Sequence, residues 1–309
     1  MEKNTFYSNG KLLITGEYLV LHGALALAVP TIPGQEMSVE TTDGPVKLSW
    51  NSFYRDKCWF EAEFSLPVPN ILKASNARTA EYLQALLLEA KKLNPGALTV
   101  DKALKVESNL GFSQEWGLGS SSSLINNVAG WFDIDPYELL MKTQKGSGYD
   151  IACARADGPI RYRLVQGCPV TRKVSFNPPY KDKLAFVYSG RKQDSAASIN
   201  TFLSGAGFLE ADKNRISEIS LDITSAKTLQ DFNLLLDEHE EIMSGVLQLP
   251  KIKEERFPGF PGSIKSLGAW GGDFFLASSE IGFEEIKSYF SKNGLKTCFS
   301  WHYLVLSIH

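Results

Sequence analysis

The spacing of apolar positions divides the chain into recognisable elements. Leu12 to Pro30 is an apolar stretch broken at Thr15-Gly16-Glu17, which predicts a strand, a tight turn and a second apolar segment. Met37 to Glu40 and Val46 to Trp50 alternate with period two, so the opening is β-rich. From Asn76 the rhythm changes. Tyr82, Leu83, Leu86, Leu87 and Ala90 recur at helical spacing between a polar start at Asn76 and a stop at Pro95-Gly96, predicting an amphipathic helix. Leu104 to Val106 reads as a short strand. Asn109 to Ser123 is a loop rich in Gly and Ser that leads into a helical run, Leu124 to Trp131. Asp135-Pro136 supplies an N-cap and a first-turn proline, so a further helix runs from Pro136 towards Lys142 and ends before Gly146-Ser147-Gly148.

The second half follows another plan. Ile160 to Val165 and Leu184 to Tyr188 read as strands separated by a charged, Pro-containing connection, Cys168 to Lys183. A domain boundary is expected inside that connection, giving domains 1–172 and 173–309. Helical patterns cover Ser195 to Leu203, Lys213 to Ile223, Thr228 to Leu247 and Glu284 to Ser291; Phe274 to Ser278 and Ser300 to Leu306 read as strands. Pro250 to Gly262 is the longest expected loop, and there is no internal repeat. This order predicts an α+β domain with helices on one face of an antiparallel sheet.

With 309 residues, two domains are the natural expectation. Lys and Arg number 32 against 35 Asp and Glu, with no basic block, so a surface built to neutralise nucleic-acid phosphates is disfavoured. Cys58, Cys153, Cys168 and Cys298 form no CxxC pair and read as reduced structural thiols. The segment MEKNTFYSNGK has no apolar core of signal-peptide length, and Leu12 to Ile32 is interrupted by Glu17 and His22. A cytoplasmic protein with no membrane partner is the expectation.

The segment most suggestive of chemistry is WGLGSSSSLINNVAG, Trp116 to Gly130. Gly117 and Gly119 let backbone approach a ligand closely, the hydroxyls of Ser120, Ser121, Ser122 and Ser123 add donors, and the helix that follows directs unpaired N–H groups to the same place. That is an anion cradle suited to phosphate; the plainer alternative is a linker that caps a helix. No GxxxxGK[ST] occurs in the chain, and Ser122 stands where GxGxxG needs its third glycine.

Three segments then occur in a telling order: NGKLLITGEYLVLHGALALAVP (Asn9 to Pro30), the serine loop with KGSGYDIACA (Lys145 to Ala154) after it, and IKSLGAWGGDFFLAS (Ile264 to Ser278). In this the chain resembles the superfamily of galactokinase, homoserine kinase, mevalonate kinase and phosphomevalonate kinase, the GHMP kinases. The first motif is most similar to the mevalonate branch, and GYDIA at Gly148 to Ala152 resembles a bacterial subgroup of these kinases. The resemblance implies two domains, an N-terminal one like ribosomal protein S5 domain 2 and a ferredoxin-like C-terminal one. It also implies ATP, Mg²⁺ and a small-molecule acceptor, in a monomer or homodimer. By matching position it implies Lys11 as a catalytic motif lysine that offsets charge on the moving phosphoryl group, and Asp150 as catalytic base. Gly117, Leu118, Gly119 and Ser120 to Ser123 match the triphosphate loop, and Gly268, Gly271 and Gly272 the loop that closes on the phosphates. For Mg²⁺ the expected ligands are a hydroxyl of Ser121 or Ser122 and the carboxylate of Glu138. Glu17, His22, Ser195, Ser198 and Lys265 are candidate acceptor contacts.

Alternatives stand beside these roles: Asp150 as a carboxylate capping the next helix, Lys11 as a solvated strand-edge lysine, Glu17 and His22 as structural residues of a tight turn. A hydroxyl as weakly acidic as water lies ~11 pKa units above a free Asp, or ~15 kcal/mol. Early deprotonation is therefore excluded, and Asp150 would orient the hydroxyl and accept its proton late. A phosphorylated acceptor would need cations beyond those that hold one carboxylate; Arg155, Arg161, Arg191, Lys192 and Lys265 are the candidates. Mevalonate is the favoured acceptor, ahead of phosphomevalonate; diphosphomevalonate decarboxylation is the other enzymatic reading. The chain departs from the family at Asn9-Gly10 in place of Pro-Gly, in lacking the usual Pro upstream of the second motif, and at Trp270 in place of a glycine. A ring at 270 is expected to narrow the phosphate channel, which motivates a catalytically silent nucleotide- or metabolite-binding protein as the alternative.

Overall fold

The computed structural model describes residues 3–98, 102–144, 146–192, 195–205 and 207–307. Lys145 of the second motif and His309 lie outside them. In chain order the elements are β1 Lys3–Thr15, β2 Ala26–Thr42, β3 Lys47–Tyr54, β4 Lys57–Ser65, β5 Ile71–Ala74, α1 Ala77–Leu93, β6 Ala103–Leu110, α2 Ser120–Phe132, α3 Pro136–Thr143 and α4 Tyr149–Ala154. They continue with β7 Ile160–Val165, β8 Cys168–Lys173, β9 Leu184–Tyr188, α5 Ser195–Gly205, α6 Glu210–Asp222, α7 Leu229–Leu247, α8 Ile252–Arg256, β10 Ser263–Leu267, β11 Phe274–Ser278, α9 Phe283–Lys292, β12 Cys298–Ser300 and α10 Trp301–Leu304. Two compact units interleave along the sequence. The first comprises Met1–Gly10, Pro33–Gln114 and Gly119–Arg155, and the second Lys11–Ile32, Glu115–Leu118 and Ala156–His309. Strands β1 and β2 each run from one unit into the other.

In the first unit the strands pair in the order β5-β4-β3-β6-β2, antiparallel except for the parallel β3–β6 pair. Arg55 and Asp56, both at positive φ, close the β3–β4 hairpin in the handedness that suits twisted strands. Helix α1 starts where the Asn76 side chain accepts the Thr79 N–H at 2.9 Å, and it buries Ala80, Leu83, Leu86, Leu87 and Ala90. That stripe meets Trp50, Phe60, Phe64, Val106, Ile125, Val128 and Phe132 in one core. Asp135 caps α3 by accepting the Tyr137 N–H at 2.9 Å, with Pro136 in the first turn.

The second unit holds the antiparallel sheet β10-β11-β9-β12. Phe257, Phe260, Phe275, Ile286 and Phe290 form its core with Ala185 and Val187. Strand β7 pairs with the N-terminal part of β2 and with β8.

Three sequence expectations differ from this fold. Cys168–Lys173 is a strand rather than part of a connection; Gln166 and Gly167, both at positive φ, turn the chain tightly, and the strand is too exposed to alternate in hydrophobicity. Ser300 to Leu306 is not a strand, because the Ser300 hydroxyl accepts the Tyr303 N–H and starts the short helix α10. The stretch Pro250 to Gly262 contains a helical turn, α8. Among the described residues no helix is long and apolar enough to cross a membrane.

Candidate functional site

In the first unit the chemistry gathers at the start of α2. Gly119 precedes the helix at φ 91°, ψ 36°, and no side chain caps the first turn, which leaves its leading N–H groups directed outward. The four serines have separate tasks. The Ser123 hydroxyl is buried and donates to Gln35 Oε1 at 2.6 Å, while Ser122, only 3% exposed, turns back on the Gly119 carbonyl at 3.0 Å. Ser121 shares a hydrogen bond of 2.8 Å with the Tyr82 hydroxyl and accepts from Gln144 Nε2 at 3.2 Å. Ser120 is half-buried, and its hydroxyl makes none of the described hydrogen bonds.

A buried polar ladder fixes this helix against the strands. Ser8 donates to Asn127 Oδ1 at 2.6 Å, Asn127 donates to the Gln35 carbonyl at 3.0 Å, and Gln35 Nε2 donates to Ser108 at 2.7 Å. Breaking one member leaves another buried without a partner, so the ladder also specifies the register of the serine turn.

Asp150 is half-buried in the first turn of α4, two residues after Gly148 at φ 85°. It lies inside the helix, and its Oδ1 accepts the Ile151 N–H at 3.1 Å. Helix α4 packs on α2. Tyr82 connects the two: its hydroxyl holds Ser121, and its pKa is raised by burial first and by the negative charge of Asp150 second. The serine turn and the GYDIA carboxylate therefore share one neighbourhood. Tyr82, Gln144 and Gln35 were not among the expected site residues. Tyr82 looked like part of an apolar helix stripe, and nothing in sequence marks its hydroxyl. Glu138 is exposed on α3, which packs on α2.

In the second unit Lys11 Nζ donates to the Gly117 carbonyl at 2.8 Å, and its backbone N–H donates to the Leu118 carbonyl at 2.9 Å. The motif lysine thus shapes the loop entering α2. Gly117 has φ 62°, and a Cβ there would lie 2.1 Å from Asp273 Oδ2, so the position admits only glycine. Gly268 and Gly271 also have positive φ, and the Gly272 N–H donates to the Ala269 carbonyl at 3.2 Å. Trp270 directs its ring into the apolar cluster of Tyr18, Met243 and Val246, and its indole N–H donates to the Pro250 carbonyl at 3.1 Å. The ring expected to narrow a phosphate channel is thus held among helices of its own unit.

Glu17 and Lys265, expected as acceptor contacts, are buried against each other. Lys265 Nζ donates to Glu17 Oε1 at 2.6 Å and to the Ser266 carbonyl at 2.8 Å, and neither residue is more than 3% exposed. His239 Nε2 lies 3.2 Å from Glu17 Oε2 but accepts the Gly16 N–H at 3.0 Å. Burial, then the nearby Lys265 charge, hold that imidazole neutral, so the contact is not an ion pair. Burial also raises the pKa of Glu17, against the pull of Lys265. Arg161 is engaged as well, by Thr224 and the Leu221 carbonyl. His22 is exposed, with ring contacts to Phe208 at 4.7 Å and Phe202 at 5.7 Å. Ser195 opens α5, and its side chain lies outside the described ones.

Glu240 completes this buried group, accepting the Ser266 N–H at 3.1 Å. Desolvation raises its pKa to about 8, with Lys265 opposing and Glu17 adding to the rise. A carboxyl raised on folding binds its proton in the native state where the unfolded chain has lost it. Its contribution to stability is full below the unfolded value near 4.5 and is lost as pH rises towards about 8. Chemical denaturation from pH 5 to pH 9 is expected to show a Glu240 contribution that declines by roughly 1 kcal/mol per pH unit over that window, and Glu240→Gln removes that share.

No protein-family model matches the sequence, and no curated protein does. Solved structures do match the fold. The Methanococcus jannaschii mevalonate kinase is 17% identical, with a TM-score of 0.70 over 96% of this chain and 97% of that one. The Streptococcus pneumoniae phosphomevalonate kinase, in complex with phosphomevalonate and AMPPNP, is 16% identical, with a TM-score of 0.69 over 96% and 99%. The Lactococcus lactis galactokinase complexed with galactose is 12% identical, with a TM-score of 0.64 over 97% and 93%. The chain has the α+β fold that these kinases share, as its motif order implied.

Proposed function

We propose that this protein is an ATP- and Mg²⁺-dependent small-molecule kinase that passes the γ-phosphoryl group to an alcohol of the mevalonate type. The observation that carries the reading is the placement of Asp150 and Ser121 around one tyrosine, Tyr82, at the uncapped start of α2. The α2 amides and the Ser120 and Ser121 hydroxyls would receive the terminal phosphates. Asp150 would orient the acceptor hydroxyl and take its proton late, as a loose phosphoryl-transfer transition state requires. Lys11, through Gly117 and Leu118, sets the backbone of the loop that enters the cradle.

The donor set suits Mg²⁺ carried mainly by phosphate oxygens and water. Among the described residues no group of three His, Cys, Asp or Glu side chains is arranged to hold a metal. Of the two expected hydroxyl ligands, Ser122 faces the Gly119 carbonyl, so Ser121, with Ser120 beside it, is the better donor, and the exposed Glu138 on α3 remains the proposed carboxylate. Bound Mg²⁺ would neutralise charge on the transferring phosphate.

Mevalonate is favoured over its phosphate ester because Lys265 and Arg161, two of the cations a second acidic group would call on, are occupied inside the fold. A coupled ADP-release assay across mevalonate, phosphomevalonate, diphosphomevalonate, homoserine and galactose tests the reading. Turnover is expected with mevalonate. Turnover with phosphomevalonate alone would reassign the acceptor, carbon dioxide release would make it a decarboxylase, and AMPPNP binding without turnover on any of the five would leave a silent binding protein.

A further inference from the structure

Tyr18 sits at the centre of a strained turn. Its backbone has φ 60° and ψ −49°, and the Leu19 N–H donates to the Glu17 carbonyl at 2.6 Å, the geometry of a γ-turn with positive φ. Such a conformation is costly for a residue with a Cβ and persists only where surrounding contacts over-determine it. Here those contacts run in part to α5, where the Ser198 side chain meets the Tyr18 hydroxyl, and in part to one loop. The Tyr18 hydroxyl accepts the Trp270 N–H at 2.9 Å, and the Gly268 N–H faces the Glu17 carboxylate. The phenol is largely buried, its ring tilted against Phe202 at 5.2 Å.

The loop has the opposite character. Gly268 and Gly271, at φ 72° and 74°, flank Ala269 and Trp270 and meet no neighbour that would restrain a side chain there. Two glycine hinges by themselves make a mobile segment. Trp270 pins its middle on both sides, through its backbone N–H to Tyr18 and its indole N–H to Pro250. A segment fixed before its ligand arrives need not be ordered on binding, and the gain appears as affinity.

We propose that Tyr18 and Trp270 form a latch that holds the loop from Gly268 to Gly272 preformed for the nucleotide phosphates, which makes both of them positioning residues. The inference rests on the kinase reading for its ligand, but the latch is observable without it. Hydrogen exchange on the full chain compares the wild type with Tyr18→Phe, which removes one oxygen, and with Trp270→Gly, which removes the anchor. Amides of residues 268–273 are expected to exchange ~10-fold faster in both, the effect of losing one hydrogen bond, while those of α1 and β3 stay unchanged. The ATP KM rises ~5–20-fold with kcat held within about twofold, and Trp270→Phe, which keeps the ring packing and the backbone bond to Tyr18 but not the indole bond to Pro250, recovers part of the loss. Wild-type protection of residues 268–273 in Tyr18→Phe overturns the latch whatever the activity, and Trp270→Gly is read only if it folds. Faster exchange in a protein that binds no AMPPNP upholds the latch and defeats the kinase reading instead.

Discussion

Asp150→Asn is expected to lower turnover of the accepted alcohol by ~10²–10⁴-fold while AMPPNP binds within about threefold of the wild type. The substitution keeps the shape of the side chain and its place in the first turn of α4 but removes the proton acceptor. A reaction that needs its alcohol deprotonated late still needs somewhere for that proton to go. Steady-state kinetics with calorimetry on the same preparation separates the two effects. Turnover within tenfold of the wild type would mean that Asp150 serves only as a carboxylate at a helix start. The pKa of Tyr82 gives a second signal: Asp150 contributes to its elevation, so the tyrosine should titrate lower in the variant.

Lys265→Met should destabilise the protein by ~3–5 kcal/mol, the cost of leaving a buried carboxylate without its partner. Glu17 is 3% exposed, and its near neighbour His239 is neutral, so among the described residues no other cation meets the charge at hydrogen-bond distance. The double variant Lys265→Met with Glu17→Gln is expected to regain most of that loss, since the pair replaces hydration it gave up rather than adding net stability. Urea denaturation of the two single variants and the double variant measures the coupling directly. Additive losses would show that the two side chains act independently, and the packing around β10 would then have to explain the fall.

Much of the architecture follows from local chemistry and is legible in the sequence. Asn76 and the stripe from Ala80 to Ala90 specify α1, Asp135-Pro136 specifies α3, and the order of the glycine-rich segments specifies the fold that the solved structures share. The two helices rest on contacts within a few residues; the fold is read from a resemblance in motif order. The strand β8 and the helix α10 were missed for the same reason in reverse: one is an exposed strand without alternation, the other a serine cap that redirects an apolar run.

The candidate site divides along the same line. Spacing alone marks Gly117, Gly119 and the serines, because glycines at positive φ and a helix start leave a local signature, whereas Asp150 is marked only by the family resemblance. Which serine is open, and which is turned inward, depends on Gln35, Tyr82 and Gln144, residues 23 to 88 positions away along the chain. Likewise Lys265, written in sequence as an ordinary cation near a glycine loop, became a buried partner of Glu17 across 248 positions. Hydroxyl and ammonium groups have no intrinsic direction; their roles are assigned by whichever polar group the folded chain brings within 3 Å. The sequence by itself determined the helices, the glycine turns and the kind of fold, whereas tertiary packing alone decided which side chains face a ligand and which satisfy each other.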